Sequence, residues 1–322
     1  YVNQGWSSKK NSEKATAKAK CTVNKNITLY AVQKKAVQLT FHRCDGSTWQ
    51  KTTLAKGSSY SLPGVRDAEG YTFMGWSTKP MQSVSPQYEA EEKITVNGNV
   101  DLYAVVFNRT TETDLTEDQL PQVDIYKYKQ VIFVGDSRTE FMENVLTGMG
   151  ESATKNVKFV CSAGKGLDWF TTTGWAQLYS IVQHDSNSIL SKKTAVIFNF
   201  GVNDLSKSAD YAEYYNWIAP QLKSKGCELY FMSVNPVNRL MLPNAGRADR
   251  SEAAVRSFNQ YMKANLSSAY TYIDMYSYLK STGYSFASDH YGTGTVDDGL
   301  HYTTRTYKRI FAKCMDSLRV PA

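Results

Sequence analysis

Two regimes of hydrophobic patterning divide the 322-residue chain. Up to about residue 107, apolar and polar positions alternate in short runs. Val37-Gln-Leu-Thr-Phe41 and Val100-Asp-Leu-Tyr-Ala-Val105 put every second side chain on one face, as half-buried strands do. Turn signals at Cys44-Asp-Gly46-Ser and Leu62-Pro-Gly64 separate such runs. From residue 130 onward the pattern changes to continuous apolar runs at 131–134, 157–161, 195–200, 229–234 and 271–274, which read as strands buried on both faces. Helical segments are expected at about 138–148, 168–183, 209–225, 251–266 and 304–318. This alternation predicts an α/β domain with a parallel sheet covered by helices on both faces. Residues 108–129 are polar and acidic without either period, and are expected to form a linker.

The first regime contains a repeat. Gly5-Trp6-Ser7 recurs as Gly75-Trp76-Ser77, and VNKNITLYAV (23–32) recurs as VNGNVDLYAV (96–105), an offset of 70 to 73 residues. Self-similarity of this length indicates two copies of one small module. The second copy reads whole over 35–107, and the first, 1–33, is expected to be partial. Gly70-Tyr-Thr-Phe-Met-Gly-Trp76-Ser, followed by the Val100-Asp-Leu-Tyr-Ala strand, resembles the Listeria-Bacteroides (internalin-type B) surface repeat. The resemblance implies a small β-rich, β-grasp-like module found in secreted and cell-wall-bound bacterial proteins, and hence an extracellular or cell-surface location. The expected division is 1–33, 35–107, a linker at 108–129 and a catalytic domain at 130–322.

Composition narrows the classes. With 42% hydrophobic and 13% aromatic residues the chain can bury a sizeable core. Its net charge of +7 comes from 37 basic and 30 acidic residues without a dense basic stripe, which argues against nucleic acid as a partner. The excess is concentrated in residues 1–35, where Lys9, Lys10, Lys14, Lys18, Lys20, Lys25, Lys34 and Lys35 face only Glu13; this suits a solvated face or an anionic envelope. No run approaches the roughly 18 apolar residues of a membrane span. The chain opens without methionine or a signal sequence, so a mature or excised piece is expected. Its five cysteines are odd in number and lack a C-x-x-C pair, so neither a disulfide scaffold nor a zinc site is expected. Cys161 and Cys227 read as small buried hydrophobes.

Candidate chemistry gathers just past the C-terminal ends of the predicted strands, where an α/β sheet presents its functional loops. Ser137 follows the first strand in Val131-Ile-Phe-Val-Gly-Asp-Ser137-Arg. It is either a nucleophile or an ordinary helix N-cap. Asp298-Gly-Leu-His301 supplies a base with a carboxylate three residues before it; Asp297 is the alternative partner. Gly164 or Gly166 after the second strand would let a backbone N–H approach an oxyanion closely, and the Asn203 amide would add a donor. Asn203-Asp204 taken alone is equally a turn dipeptide.

Taken together, Gly135-Asp136-Ser137, the glycine of Ser162-Ala-Gly164-Lys-Gly166, Gly201-Val-Asn203-Asp204 and Asp298-Gly-Leu-His301 resemble the SGNH hydrolase superfamily, the GDSL-like esterases and lipases. Arg138 stands where many members carry leucine. The spacing differs from the G-x-S-x-G elbow of α/β-hydrolases. The resemblance implies a flavodoxin-like three-layer α/β/α sandwich with a five-stranded parallel sheet. It also implies a serine esterase without cofactor or metal: Ser137, His301 and Asp298 as triad, and Ser137 N–H, Gly164 N–H (Gly166 alternatively) and Asn203 as oxyanion hole.

Substrate contacts are expected from loops 165–175, 235–250 and 284–296, with Arg138, Trp169, Asn235 and His290 as candidates. Arg138, Arg239, Arg247 and Arg250 could meet a substrate carboxylate or simply be solvated. The expected substrate is a small-molecule or glycan ester, with the repeats available for cell-wall or host-surface contact. Acyl transfer onto a glycan, or a surface adhesin that only binds, are the alternatives.

Overall fold

The computed structural model describes residues 1–17, 20, 22–124, 127–185, 193–242, 250–287 and 298–318. The chain forms two compact units: Tyr1–Pro63 with Met74–Val106, and Gly64–Phe73 with Phe107–Ala322.

The first unit is β-rich. Strands β1 (Val2–Ser7) and β2 (Tyr30–Lys34) pair antiparallel. The following copy contains β3 (Ala36–His42), β4 (Thr48–Ala55), β5 (Ser58–Ser61), β6 (Tyr71–Ser77), β7 (Lys93–Val96) and β8 (Val100–Asn108), with a four-stranded sheet in the order β4-β3-β8-β6 and a β5-β7 pair. The two copies use one local device. Trp6 N–H donates to the Ala17 carbonyl at 2.7 Å, and Trp76 N–H to that of Tyr88 at 2.8 Å. Trp76 is fully buried, its ring 4.8 Å from Phe41 and its indole N–H donating to the Pro63 carbonyl at 2.8 Å. Trp6, without an equivalent of β3 over it in the described part of the first copy, is 40% exposed.

In the second unit, β9 (Tyr128–Gly135), β10 (Val157–Cys161), β11 (Lys193–Asn199), β12 (Cys227–Met232) and β13 (Tyr270–Ile273) form an all-parallel sheet in the order β10-β9-β11-β12-β13. The helices are α1 (Ser137–Met149), the short α2 (Leu167–Trp169) running through a π-helical turn (Phe170–Gly174) into α3 (Trp175–Asp185), then α4 (Ser208–Ser224), α5 (Glu252–Asn265), α6 (Met275–Thr282) and α7 (Thr304–Ser317). This is the expected α/β sandwich. Val131 to Val134 and Ala195 to Phe198 are fully buried because both faces of the sheet are covered. Each such aliphatic or aromatic side chain contributes about 1.5–3 kcal/mol relative to exposure.

Chain order reverses at β9, whose neighbours are β10 on one side and β11 on the other. The loops leaving β10 and β11 therefore flank the C-terminal end of β9, the edge where such sheets present their functional loops. Three elements go beyond the sequence reading. Helix α6 and the two-residue strands β14 (Phe286–Ala287) and β15 (His301–Tyr302) are too short to carry a periodic signal. The expected linker is packed: Glu112 is 5% exposed, bonds the Thr306 hydroxyl and pairs with Arg309 at 3.0 Å. Gly64–Phe73, inside the repeat by sequence, belongs to the second unit, where Asp67 pairs with Arg109 at 2.7 Å and accepts from Asn238 at 2.8 Å.

Among the described residues no helix is long and apolar enough to cross a membrane. Cys44, Cys161, Cys227 and Cys314 are free thiols. Cys227 is buried as expected, whereas Cys161 is only partly covered.

Candidate active site

Ser137 is the first residue of α1, directly after β9. The sequence left open whether this serine caps the helix. It does not: Asp136 is the N-cap, its carboxylate accepting from Arg138 N–H at 3.0 Å. The Ser137 hydroxyl is thereby released from local duty, and its Oγ lies 3.0 Å from His301 Nε2. His301 Nδ1 lies 2.6 Å from Asp298 Oδ2, while Asp298 Oδ1 accepts from the N–H groups of Leu300 and His301, both at 2.8 Å. One carboxylate thus shapes the turn and orients the imidazole. Strand β15 begins at His301 and pairs with β14, and Phe141 covers the ring at a centroid distance of 4.3 Å. Asp297 and His290 lie outside the described residues, as does Arg247.

A hydroxyl, an imidazole and a carboxylate in this series can pass a proton from Oγ to Nε2, with Asp298 holding the Nδ1–H tautomer and stabilising the imidazolium. Cys161 is no rival nucleophile, because burial and the neighbouring Glu143 carboxylate push its thiol pKa up and keep it protonated.

The loops that follow β10 and β11 meet each other. Asp204 accepts from Leu167 N–H at 2.9 Å and from the Tyr211 hydroxyl at 2.7 Å, and Asn203 Nδ2 donates to the Lys165 carbonyl at 2.7 Å. The Gly201–Asp204 turn therefore clamps the loop after β10 with two consecutive side chains. Ala163 N–H, one residue before Gly164, donates to Glu140 at 2.6 Å, a contact with no sequence signal beyond an acid in the first turn of α1.

The two candidate glycines are needed for different reasons. Gly164 is exposed with φ +70°, and a Cβ would meet nothing within 4 Å; its requirement is conformational. Gly166 has ordinary φ, but a Cβ there would lie 2.4 Å from Asp204 Oδ2. Gly166→Ala should destabilise by about 1–3 kcal/mol, because Asp204 can yield only by giving up Leu167 or Tyr211. Gly164→Ala should cost about 1 kcal/mol. Chemical denaturation of the two variants gives the ordering, and equal losses would contradict it.

The expected substrate-facing side chains are largely engaged elsewhere. Arg138 is 2% exposed and donates to three backbone carbonyls: Leu300 at 3.0 Å, Asn235 at 3.0 Å and Pro236 at 2.8 Å. Its guanidinium ties the start of α1 to the histidine loop instead of meeting a ligand. Asn235 is 1% exposed, and its Oδ1 has no hydrogen-bond partner among the described residues. Trp169 is half-buried, its ring 6.0 Å from Phe200 on the sheet core. Arg250, another candidate for a substrate carboxylate, is 5% exposed and bonds Asn203 Oδ1. Among the described residues no cluster of three or more His, Cys, Asp or Glu could hold a metal ion.

Asp136 is fully buried beside the serine, and burial pushes its pKa up to about 6, with Arg138 and Arg250 pulling in the opposite direction. An acid raised from its ordinary 3.8 leaves the folded state protonated where the unfolded chain has already ionised. Its contribution to stability is therefore present below pH 3.8 and lost as pH rises to about 6. Asp136→Asn keeps a capping oxygen and removes the titration. Its stability relative to wild type should rise between pH 4 and pH 7, followed by melting temperature; a flat difference would show that the carboxyl does not carry this burden.

The profile of the Listeria-Bacteroides repeat domain matches residues 38–105, and that of GDSL-like lipase/acylhydrolase matches residues 131–314. Among curated proteins no relative matches. Similar solved structures include a lipase/acylhydrolase from Enterococcus faecalis, 19% identical, TM-score 0.38, covering 59% of this chain and 95% of its own. An acetyl xylan esterase aligns at 11% identity, TM-score 0.40, over 59% of this chain and 100% of its own. The esterase EstA from Pseudoalteromonas sp. aligns at 11% identity, TM-score 0.34, over 59% and 96%. At such low scores the assignment rests on the sequence match, which spans more than half of the chain. The protein belongs to the GDSL-like lipase/acylhydrolase family and is an esterase that carries a Listeria-Bacteroides repeat.

Proposed function

We propose that this esterase is a secreted or cell-surface bacterial enzyme that removes acetyl or other short acyl groups from carbohydrate esters, with Ser137, His301 and Asp298 as its triad. The observation that carries the mechanism is the unbroken hydrogen-bond series from Ser137 Oγ through His301 to Asp298. Ser137 Oγ attacks the acyl carbonyl while its proton moves to His301 Nε2. The resulting oxyanion is held by the N–H groups of Ser137 and Gly164 and by Asn203 Nδ2. Collapse expels the alcohol, which takes the proton from His301, and leaves an acyl-serine. Water then attacks this ester with His301 again as base, releasing the acid and restoring the hydroxyl. The repeat supports a surface location and, with it, a polymeric or cell-wall glycan as the alcohol component.

The test is fluorophosphonate labelling of the whole chain together with turnover of acetylated sugars, p-nitrophenyl acetate, long-chain esters and lysophospholipids. Labelling at Ser137 and acetate release from sugar esters are expected. Preference for long acyl chains would overturn the substrate assignment, and an unlabelled, inactive protein would overturn the mechanism. Acyl groups recovered on an added sugar acceptor instead of as free acid would identify a transferase.

A further inference from the structure

The Asn203 side chain is gripped at both ends by groups of opposite hydrogen-bonding type. Nδ2 donates to the Lys165 carbonyl at 2.7 Å, and Oδ1 accepts from the Arg250 guanidinium. The two ends of a carboxamide have nearly the same shape, so their partners decide which end is nitrogen. A guanidinium only donates and a carbonyl only accepts. Turned over, the amide would set N–H against guanidinium and oxygen against oxygen. Only one orientation survives, with one Nδ2 hydrogen held by Lys165 and the other left as a donor.

We infer that Arg250 is a positioning residue for ester cleavage: it fixes Asn203 as an oxyanion donor and polarises its amide. This rests on the hydrolase reading above. The cation draws electron density toward Oδ1 and strengthens the N–H groups at the other end of the same conjugated amide. At 5% exposure its charge is weakly screened. Asp136, the residue before Ser137, feels the same charge, so the field of Arg250 reaches the start of α1. Arg250 directly precedes the cap of α5, where the Ser251 hydroxyl accepts from Ala254 N–H at 3.0 Å. Transition-state charge is the quantity at stake, and ground-state substrate binding is not, so the effect belongs in kcat.

The experiment is a double-mutant cycle on the whole chain with p-nitrophenyl acetate. Arg250→Met keeps length and removes charge and fork; Arg250→Lys restores the charge alone. Arg250→Met should lower kcat by about 10- to 100-fold with KM changed less than about threefold, and Arg250→Lys should recover part of the loss. In an Asn203→Ala background the same substitution should cost less than about threefold, because the group it acts through is gone. Unchanged kcat in Arg250→Met, or losses that multiply in the Asn203→Ala background, would overturn the inference. Should Arg250→Met not melt cooperatively, Arg250→Lys in both backgrounds gives the same comparison. Wild-type labelling by fluorophosphonate separates the two failures: a labelled, active wild type with indifferent Arg250 variants sinks this inference alone, and an unlabelled wild type sinks the hydrolase mechanism with it.

Discussion

Replacing Ser137 with alanine should lower kcat for ester turnover by about 10⁴-fold or more and abolish fluorophosphonate labelling, while the protein melts close to wild type. A loss of this size is expected because the proposed mechanism makes the hydroxyl the attacking atom; an alternative water attack would have to use His301 without the covalent step. The stability change is small because Asp136, not Ser137, caps α1. The lost partner of Ser137 Oγ is His301 Nε2, on a side chain 13% exposed and so within reach of water. His301→Ala should fall to a similar residual rate, and the double variant should lose little more, since nucleophile and base act as one unit. Steady-state kinetics on p-nitrophenyl acetate decides this; a Ser137→Ala protein within tenfold of wild type would assign the nucleophile elsewhere.

The second large effect is on folding. Arg138→Met should destabilise by about 3–5 kcal/mol, read from the denaturant midpoint, and should also reduce kcat. Three charge-assisted bonds to the carbonyls of Leu300, Asn235 and Pro236 would disappear, in a site 2% exposed where water cannot freely replace them. The Tyr302 ring, 5.1 Å from the guanidinium carbon, would also lose a cation over its face. Leu300 directly precedes His301, so release of its carbonyl loosens the imidazole. Arg138→Lys should recover little, because one ammonium cannot span three carbonyls that a planar fork reaches together. A midpoint within 1 kcal/mol of wild type would show that the arginine is not the tie it resembles.

Much of the architecture was legible because its signals are local. Continuous apolar runs such as Val131 to Val134 mark strands covered on both faces, and the repeat around Trp6 and Trp76 is written in the residues themselves. Helix α6 and strands β14 and β15 were not legible, since two to eight residues give no period to read. Nor was the packing of 108–129. Its polar composition hides that Glu112 is buried, and a buried carboxylate is recognisable only once Arg309 and Thr306 are seen around it.

The candidate site divides along the same line. Position after a strand marked Ser137, Asn203 and the Gly164/Gly166 pair as candidates, and Asp298 and His301 were named from their three-residue spacing and the family resemblance. The tasks of the arginines needed tertiary structure. Arg138 and Arg250 have the same side chain and the same sequence-level reading, a cation for solvent or substrate, yet one binds three backbone carbonyls and the other an amide oxygen. Gly166 and Gly164 likewise look interchangeable until Asp204 is seen against one and open space beside the other. Sequence alone determined the longer elements and the candidate side chains of the site, whose signals lie within a few neighbours along the chain. Which donor meets which acceptor was decided by the strand order around β9, which brings residues 38 to 164 positions apart within 3 Å of one another.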